Sequence, residues 1–434
     1  MLDLLHTDDI AATCRTMTDR QLEKLFGPHA EAMRLYAEQE PDSGEGDSLV
    51  VLLPGLTGSV LADGTDPIWL NPMAFVRGHL NKLDMSPDGR RDATPGVAIN
   101  APRPIWVVYG KLVLRMRVGF DVAVFPFDWR RSTAELAAQL ADFVHEKLAA
   151  SRYEQITLVG HSMGGLVALD YLSHPQTREQ AEAVTKRLIT LGAPFKGTLL
   201  AVAVLASADD PKMKAARLVN RANDPHGMLL TLPSMYELLP APNSLYINYD
   251  PAPDTDLYDP LVWQDQGVTV NADLLAAAQR RHLRMAQADP QVEVINVIGS
   301  YFDTPGRLTG SLLKDLSRAL FIYGDGTVDI DSAILNDGAE AYYLQEDHVE
   351  LVLDNSVIRS VMAWCAGGEA GELSRDPEHV TMDEGRLRSA AERVERISEE
   401  GIAEKLAADD ELDHDEILAL MSPLQPTPKP SNPA

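Results

Sequence analysis

The stretch Ile156-Thr-Leu-Val-Gly-His-Ser-Met-Gly-Gly165 decides the fold. An apolar, β-prone run leads into the pattern Gly160-x-Ser162-x-Gly164, and a helix-like run follows directly. A strand, a very tight turn with a serine at its tip and a helix together form a nucleophile elbow. Glycines beside the serine leave the room that this turn needs, and the helix N-terminus favours negative charge near the hydroxyl. The alternative is an ordinary Gly/Ser turn, which the pattern alone does not exclude.

The composition of the whole chain limits the possible classes of protein. The chain has 434 residues, of which 45% are hydrophobic and 24% charged, as in a soluble globular protein with a sizeable core. The formal charge of −27 argues against a nucleic-acid partner. Cys14 and Cys365 show no disulfide or metal-ligand pattern, and we see no signal peptide and no apolar run long enough for a transmembrane segment. We therefore expect a cytoplasmic protein without metal or cofactor.

The pattern of strands and helices predicts three parts. Residues 1–47 form a helical arm and a turn-rich linker, 48–366 a catalytic domain, and 367–434 an acidic tail. Apolar strands alternate with helices in the central part, which predicts a doubly wound, mostly parallel α/β sheet. Two long interruptions of this alternation are expected to be a lid at about 61–104 and an inserted helical cap at about 199–290, although an ordinary helical layer remains an alternative for the second.

Individual segments follow from local apolar runs and their periodicity. The expected strands are Leu49–Leu53, Ile105–Tyr109, Asp121–Phe125, Arg187–Leu191, Val292–Ile298, Arg318–Tyr323 and Ala341–Leu344. The tail has 17 acidic and 7 basic residues from Gly367 onward, and is expected to hold a helix at about Met382–Ala408 and a disordered, Pro-rich end at Pro423–Ala434. An acidic surface of this kind is most simply a solubility device.

A turn after the first central strand is a candidate oxyanion hole. Leu49–Leu53 runs into Pro54-Gly-Leu-Thr-Gly-Ser59, which could be a tight loop or could present backbone N–H groups to a negatively charged oxygen. With a serine elbow in the same chain we favour the second interpretation. The two amides we expect to donate are those of Leu56 and of Met163, the residue after the serine.

A serine nucleophile needs a base, and the base needs a carboxylate. In a nucleophile-elbow fold these partners follow in the order Ser, Asp or Glu, His. Among eleven histidines, four precede the serine, His161 lies inside the elbow where it cannot be the base, His174 points away, and four lie in the cap or tail. His348, after the last expected strand, remains. Asp325, between two glycines, is the best candidate carboxylate, and Asp303 is the second.

Several stretches carry a resemblance to a known family. The chain resembles the lecithin–cholesterol acyltransferase-like branch of the α/β-hydrolases in Val51-Leu-Leu-Pro-Gly-Leu-Thr-Gly-Ser-Val-Leu61, Phe125-Pro-Phe-Asp-Trp-Arg130, Gly160-His-Ser-Met-Gly-Gly165, Leu191-Gly-Ala-Pro-Phe-Lys-Gly-Thr198, Gly324-Asp-Gly-Thr-Val328 and the late His348. The resemblance implies the α/β-hydrolase fold and the triad Ser162, Asp325 and His348. It also implies the Leu56 and Met163 oxyanion hole and a lid around Trp69 that contacts substrate.

Three functions are compatible with this sequence. The first, which we favour, is a serine carboxylic-ester hydrolase of the esterase or lipase type, acting on an apolar, lipid-like ester. The second is an acyltransferase or phospholipase A of the same family. The third is a catalytically silent scaffold that binds a partner of unknown identity through the arm and the tail. The complete Ser/Asp/His set in the required order argues against the third.

Overall fold

The structure is a computed structural model that describes residues 7–42, 44, 46–206, 220–242, 256–308, 319–380, 405 and 412–421. The expected Pro-rich end, and the expected helix at 382–408 apart from Lys405, lie outside the described residues. The strands are β1 Leu49–Leu53, β2 Ser59–Asp63, β3 Asp66–Trp69, β4 Ile99–Pro104, β5 Val122–Val124, β6 Ile156–His161, β7 Thr185–Leu191, β8 Glu293–Gly299, β9 Phe302–Leu308, β10 Ala319–Gly324 and β11 Glu340–Leu344.

The main sheet has six strands in the order β11-β8-β7-β6-β1-β5, and every neighbouring pair is parallel. All residues of β1 and β6 are buried, which explains why these strands are apolar along their whole length. The chain builds outward from β1 to β5 and then from β6 to β11 on the other side. This doubly wound parallel sheet confirms the expected α/β-hydrolase fold.

Helices connect the strands and extend the domain. In chain order they are α1 Ile10–Thr16, α2 Asp19–Phe26, α3 Ala30–Glu38, α4 Pro72–Val76, α5 Trp106–Met116, α6 Thr133–Ala149, α7 Met163–Ser173, α8 Arg178–Val184, α9 Leu199–Ala206, α10 Pro225–Leu229, α11 Pro233–Glu237, α12 Pro260–Gln264, α13 Ala272–Met285, α14 Ile330–Ala333, α15 Asn355–Cys365 and α16 His414–Met421. Within the described part of the chain, no helix is long and apolar enough to cross a membrane.

One expected strand is a helix in the structure. Ile105–Tyr109 was expected to be a strand because it is rich in β-branched and aromatic residues. Instead, α5 begins at Trp106, and ten of its eleven residues are buried. A helix that is buried on all sides lacks the alternation of apolar and polar faces by which an amphipathic helix is recognised. The prediction was wrong for this reason.

The expected lid region is folded on its own small sheet. Strands β3, β2 and β4 pair antiparallel in that order, and α4 and a short 3₁₀ helix, His79–Leu83, lie between β3 and β4. The side chain of Arg130, which is fully buried, joins this region to the chain after β5. Its guanidinium contacts the carboxylates of Asp128 and Asp92 at 2.7 Å each and donates to the carbonyl of Leu83 at 3.0 Å.

Strands β9 and β10 form a separate antiparallel hairpin. The segment 318–323 had been expected to be a strand before Asp325. Its described residues lie in β10, and among the described strands β10 pairs with β9 rather than with the main sheet. The hairpin therefore brings the chain back to the end of the main sheet, where the turn Asp325-Gly-Thr-Val328 follows. The region expected to be a cap contains the helices α9 to α13, and residues 207–219 and 243–255 of it lie outside the described residues. Whether these helices form a cap over the site or an ordinary helical layer stays a prediction.

The helical arm packs against α5, and α16 packs against the arm. The arm has a capping box at the start of α2, where the hydroxyl of Thr18 accepts from the amide of Gln21. His414 at the start of α16 is buried, and its Nδ1 donates to the carbonyl of Leu25 at 3.0 Å. Gly27 allows this approach, because a Cβ there would lie 2.8 Å from the His414 ring.

Candidate active site

Ser162 lies at the tip of a very tight turn between β6 and α7. Its backbone has φ 52° and ψ −125°, a conformation that side chains rarely adopt and that is typical of functional sites. The turn is possible only because its neighbours are glycines. A Cβ on Gly164 would lie 2.3 Å from the carbonyl oxygen of Leu53, and one on Gly160 would lie 2.7 Å from the amide nitrogen of Gly165. The sequence pattern therefore indicates a true elbow rather than an ordinary turn.

Asp325 and His348 are hydrogen-bonded to each other. The Nδ1 of His348 donates to Oδ2 of Asp325 at 2.7 Å, and both side chains are buried. The other oxygen of Asp325 accepts from the amides of Thr327 at 2.9 Å and Val328 at 2.7 Å. The backbones are also linked, since the amide of His348 donates to the carbonyl of Asp325 at 3.0 Å. These bonds hold Nδ1 protonated and leave Nε2 as the basic nitrogen.

Gly192 makes room for this pair at the end of β7. It has φ +60°, and a Cβ there would lie 2.9 Å from Oδ2 of Asp325 and 3.1 Å from Nδ1 of His348. Both atoms belong to the hydrogen bond itself. A larger residue at this position would therefore separate the carboxylate from the imidazole as well as strain the backbone.

The loop after β1 lies directly against the elbow. A Cβ on Gly55 would lie 3.0 Å from Cβ of Ser162. A turn closes from the amide of Gly58 to the carbonyl of Gly55 at 3.0 Å, with Leu56 inside it. Met163 is the first residue of α7, so its amide has no acceptor within the helix. The geometry is compatible with an oxyanion hole made by the amides of Leu56 and Met163, which remains a prediction.

Ser162 and His348 open onto the same pocket, which has a volume of about 60 Å³. Its lining is mainly apolar and comes from the oxyanion loop, α5, the chain after β7, α11's end and the loops around the triad. The apolar lining residues are Leu56, Val108, Pro194, Leu238, Val328 and Val349. A serine, a histidine backed by a carboxylate and a mainly apolar lining are what an acyl-transfer site for an apolar ester requires.

Two other side chains at the site were not assigned a role from the sequence. His161 and Tyr109 both line the pocket and are buried. The Tyr109 hydroxyl lies 2.8 Å from Nδ1 of His161, and Nε2 of His161 lies 2.9 Å from the carbonyl oxygen of His348. Burial and the neighbouring His348 lower the pKa of His161 to about 3, so that His161 is neutral at ordinary pH. No local sequence pattern predicts that Tyr109 and His161 lie together at the site, because the residues they contact come from distant segments of the chain.

The remaining predicted residues lie outside this arrangement. Asp303, the second candidate carboxylate, lies within β9 opposite Tyr323, whereas the carboxylate that His348 contacts is Asp325. Trp69 is buried and does not line the pocket. Its Nε1 donates to the carbonyl of Thr57 at 2.9 Å, so it contacts the back of the oxyanion loop. A substrate-binding role for Trp69 stays a prediction. Among the described residues, no group of three His, Cys, Asp or Glu side chains could hold a metal ion.

Comparisons with known proteins point to one family. The family described as lecithin:cholesterol acyltransferase matches residues 116–320, less than half of the chain, and this range includes Ser162 but neither Asp325 nor His348. The lysosomal phospholipase A and acyltransferase of Bos taurus is 24% identical over 50% of this chain and 53% of its own length. The phosphatidylcholine-sterol acyltransferase of Mus musculus is 35% identical over 20% of each chain.

The chain thus spans about half the length of the curated relative from Bos taurus. A solved structure of the Bacillus licheniformis lipase BlEst2 in mature form is 14% identical, with a TM-score of 0.38 over 75% of this chain and 94% of that one. The sheet order and the family match together confirm the resemblance that the sequence motifs indicated. The chain has the α/β-hydrolase fold and is similar in sequence to the lecithin:cholesterol acyltransferase family over residues 116–320.

Proposed function

We propose that this protein is a serine hydrolase of carboxylic esters that acts through an acyl-enzyme on Ser162. The observation that carries the proposal is that a strained elbow serine and a carboxylate-paired histidine open onto one apolar pocket. A buried histidine beside a serine has no structural need for this arrangement, whereas acyl transfer requires all of it.

The positions of the groups support the following reaction. The Oγ of Ser162 attacks the ester carbonyl carbon while its proton passes to Nε2 of His348, and Asp325 stabilises the imidazolium. The amides of Leu56 and Met163 donate to the oxyanion. The tetrahedral intermediate collapses, and the leaving alkoxide takes the proton from His348. Water then attacks the acyl-enzyme with His348 as base, which releases the acid and restores Ser162.

The pocket and the relatives support one substrate class. The lining is mainly apolar, and no lysine or arginine lies among the described residues that form it, which favours an apolar acyl chain over a charged one. The relatives named above are phospholipases or acyltransferases by name, which supports a lipid ester as substrate. We therefore propose hydrolysis of a lipid-like ester, and expect activity to rise with acyl length in a series of p-nitrophenyl esters.

Transfer to an alcohol instead of water is the second candidate. The relative from Bos taurus is named as both a phospholipase A and an acyltransferase, and the two reactions differ only in the acceptor that attacks the acyl-enzyme. Adding a long-chain alcohol to the ester assay separates them. A transferase forms new ester at the expense of free acid, whereas a hydrolase releases acid at an unchanged rate.

The direct test is intact-protein mass spectrometry after reaction with a fluorophosphonate. We expect one adduct on the natural chain and none on Ser162→Ala. His348→Gln should label at least about a hundredfold more slowly, because the serine has lost its base. His379→Gln is the matched control, since His379 is a surface histidine whose side chain is 79% exposed. No adduct on the natural chain, with or without detergent, would overturn the proposal and favour the scaffold alternative.

A further inference from the structure

Tyr109 lies between the oxyanion loop and the elbow. It projects from α5, and its hydroxyl oxygen accepts a hydrogen bond from the amide of Gly55 at 2.7 Å. The same hydroxyl lies 2.8 Å from Nδ1 of His161. A Cβ on Gly58, at the other end of the turn, would lie 2.8 Å from this hydroxyl oxygen. The phenol group therefore packs closely against both ends of the turn that contains Leu56.

The directions of these hydrogen bonds follow from the donors available. The amide of Gly55 can only donate, so the oxygen of Tyr109 accepts from it and the hydroxyl proton remains for Nδ1 of His161. Nδ1 therefore accepts. The carbonyl of His348 can only accept, so Nε2 of His161 carries the proton and donates to it at 2.9 Å. All donors and acceptors agree with a neutral His161 protonated on Nε2.

These bonds connect two loops that are far apart in sequence. The hydrogen-bond path begins at the amide of Gly55, the residue before Leu56, and ends at the backbone carbonyl of His348. His161, in the middle, immediately precedes the nucleophile and its ring lies 4.9 Å from the ring of His348. A positive charge on His161 would oppose protonation of His348 at this distance. The path therefore needs His161 to be neutral, and the Tyr109 hydroxyl favours the neutral ring because it donates to Nδ1.

We propose that Tyr109 and His161 are positioning residues, which hold the Leu56 amide and the His348 imidazole in register with Ser162 through a continuous hydrogen-bond path. The inference rests on the proposed ester-hydrolase function. Neither side chain carries a proton to or from the substrate. Their effect is on the geometry of groups that act in the transition state, where a displacement on the order of 1 Å can cost about a hundredfold in rate.

The kinetic test begins with Tyr109→Phe, which removes only the hydroxyl. We expect kcat to fall about ten- to a hundredfold with KM changed less than about twofold, because the affected groups act mainly in the transition state. His161→Leu should lose at least as much. His161→Gln should regain part of the loss, because its amide can again donate to the His348 carbonyl. The double variant Tyr109→Phe, His161→Leu should be no slower than His161→Leu alone, because both changes interrupt one path.

Tyr171→Phe is the matched control. Tyr171 lies on α7, is as buried as Tyr109 and does not line the pocket, so its variant should keep the natural kcat. An unchanged kcat in Tyr109→Phe would overturn the positioning role. A raised KM at unchanged kcat would overturn it too, since it would make Tyr109 a substrate contact, and so would additive losses in the double variant. Absence of fluorophosphonate labelling on the natural chain would instead count against the ester-hydrolase function.

A spectroscopic measurement tests the path without any activity. Nitrogen-15 NMR of the natural protein labelled in its histidines, recorded at neutral pH, distinguishes the two neutral tautomers and the imidazolium. The signals that disappear in His161→Gln belong to His161, and we expect the tautomer protonated on Nε2. An Nδ1-protonated or charged His161 would overturn the proposed path even if the variants lose activity.

Discussion

Two buried carboxylates, Asp325 and Asp170, are held in opposite ways. Asp325 in the active site accepts from two backbone amides and from His348. Asp170 on α7 accepts from Nε of Arg281 at 2.9 Å and contacts the guanidinium of Arg284 and the hydroxyl of Thr133. Asp170 is fully buried and Asp325 is 2% exposed, so burial does not distinguish them. The two carboxylates differ in their partners, which are backbone amides and an imidazole for Asp325 and mainly arginines for Asp170.

The difference teaches what a catalytic carboxylate needs. Arginine is always charged, so two arginines neutralise Asp170 permanently. Burial alone would raise the pKa of Asp170, but Arg281 and Arg284 outweigh it and hold this pKa below its ordinary value. Backbone amides orient Asp325 without cancelling its charge, and the titratable side chain that bonds to it in the described part of the chain is the imidazole of His348. The charge of Asp325 therefore remains able to stabilise an imidazolium that forms and disappears in each turnover.

Replacing Asp325 is expected to give the largest effect on activity. We expect Asp325→Asn to lower kcat about 10⁴-fold, since the imidazole loses both its tautomer and its counter-charge, while the protein stays folded. Ester hydrolysis and circular dichroism measure the two effects. Asp331→Asn is the control, because Asp331 is an exposed carboxylate near Asp325 at the start of α14. Loss of folding in Asp325→Asn, or a loss of rate as large in Asp331→Asn, would contradict the contrast.

Replacing Asp170 should lower stability and leave kcat nearly unchanged. Asp170→Asn removes the nearest carboxylate from the buried Arg281, which keeps Glu237 at 3.9 Å, and from the partly exposed Arg284. We expect the free energy of unfolding to fall by about 3–5 kcal/mol. The kcat of the folded fraction, counted by fluorophosphonate titration, should stay within about twofold of the natural value. Urea denaturation followed by fluorescence gives the stability. A variant that is stable but inactive would mean that Asp170 acts in the site.

Acid should remove the effect of Asp170. Because the pKa of Asp170 is lowered in the folded protein, its contribution to stability is present above the ordinary value of 3.8 and is lost as pH falls through the folded pKa. The difference in urea midpoint between the natural chain and Asp170→Asn should therefore be constant above about pH 5 and shrink only below 3.8. A difference that already shrinks near neutral pH would show that the arginines do not dominate.

Arg284 should give the smallest effect. Its side chain is 32% exposed, against 3% for Arg281, and Asp170 keeps Arg281 when Arg284 is replaced. We expect Arg284→Met to lower the free energy of unfolding by about 1 kcal/mol, since a partly solvated ion pair contributes little. Arg280→Met, an exposed arginine on the same helix, is the matched control for urea denaturation and should change stability by less. A loss as large as that of Asp170→Asn would mean that Arg284 alone holds the carboxylate.

The sequence predicted those parts of the site that depend on local geometry. The elbow is visible because both glycines lie within two residues of Ser162 in the sequence, although only Gly160 is required by a contact inside the elbow, whereas Gly164 makes room for the carbonyl of Leu53 in β1. The order of the triad is a property of the sheet connections, which made His348 the best base. The sequence left Asp325 and Asp303 as alternatives, because an antiparallel pairing of β9 with β10 is set by contacts between distant segments rather than by either strand alone.

Long-range contacts account for what the sequence did not predict. Tyr109 is separated by 52 residues from His161, and His161 by 187 from His348, so no local pattern joins them. The first turn of α5, which carries Tyr109, was mistaken for a strand because burial on every side removed its periodicity. The expected lid has its own sheet and helices, and whether it moves over the pocket remains a prediction.

The contact between α16 and the arm can form only late in synthesis, after both elements have been made. His414 and Leu25, whose hydrogen bond joins these elements, are 389 residues apart, so at about 5–20 residues per second roughly 20–80 s separate their appearance on the ribosome. The arm can pack against α5 early, since both are made within the first third of the chain. The side of the arm that receives His414 therefore stays uncovered by α16 until residue 414 has been made.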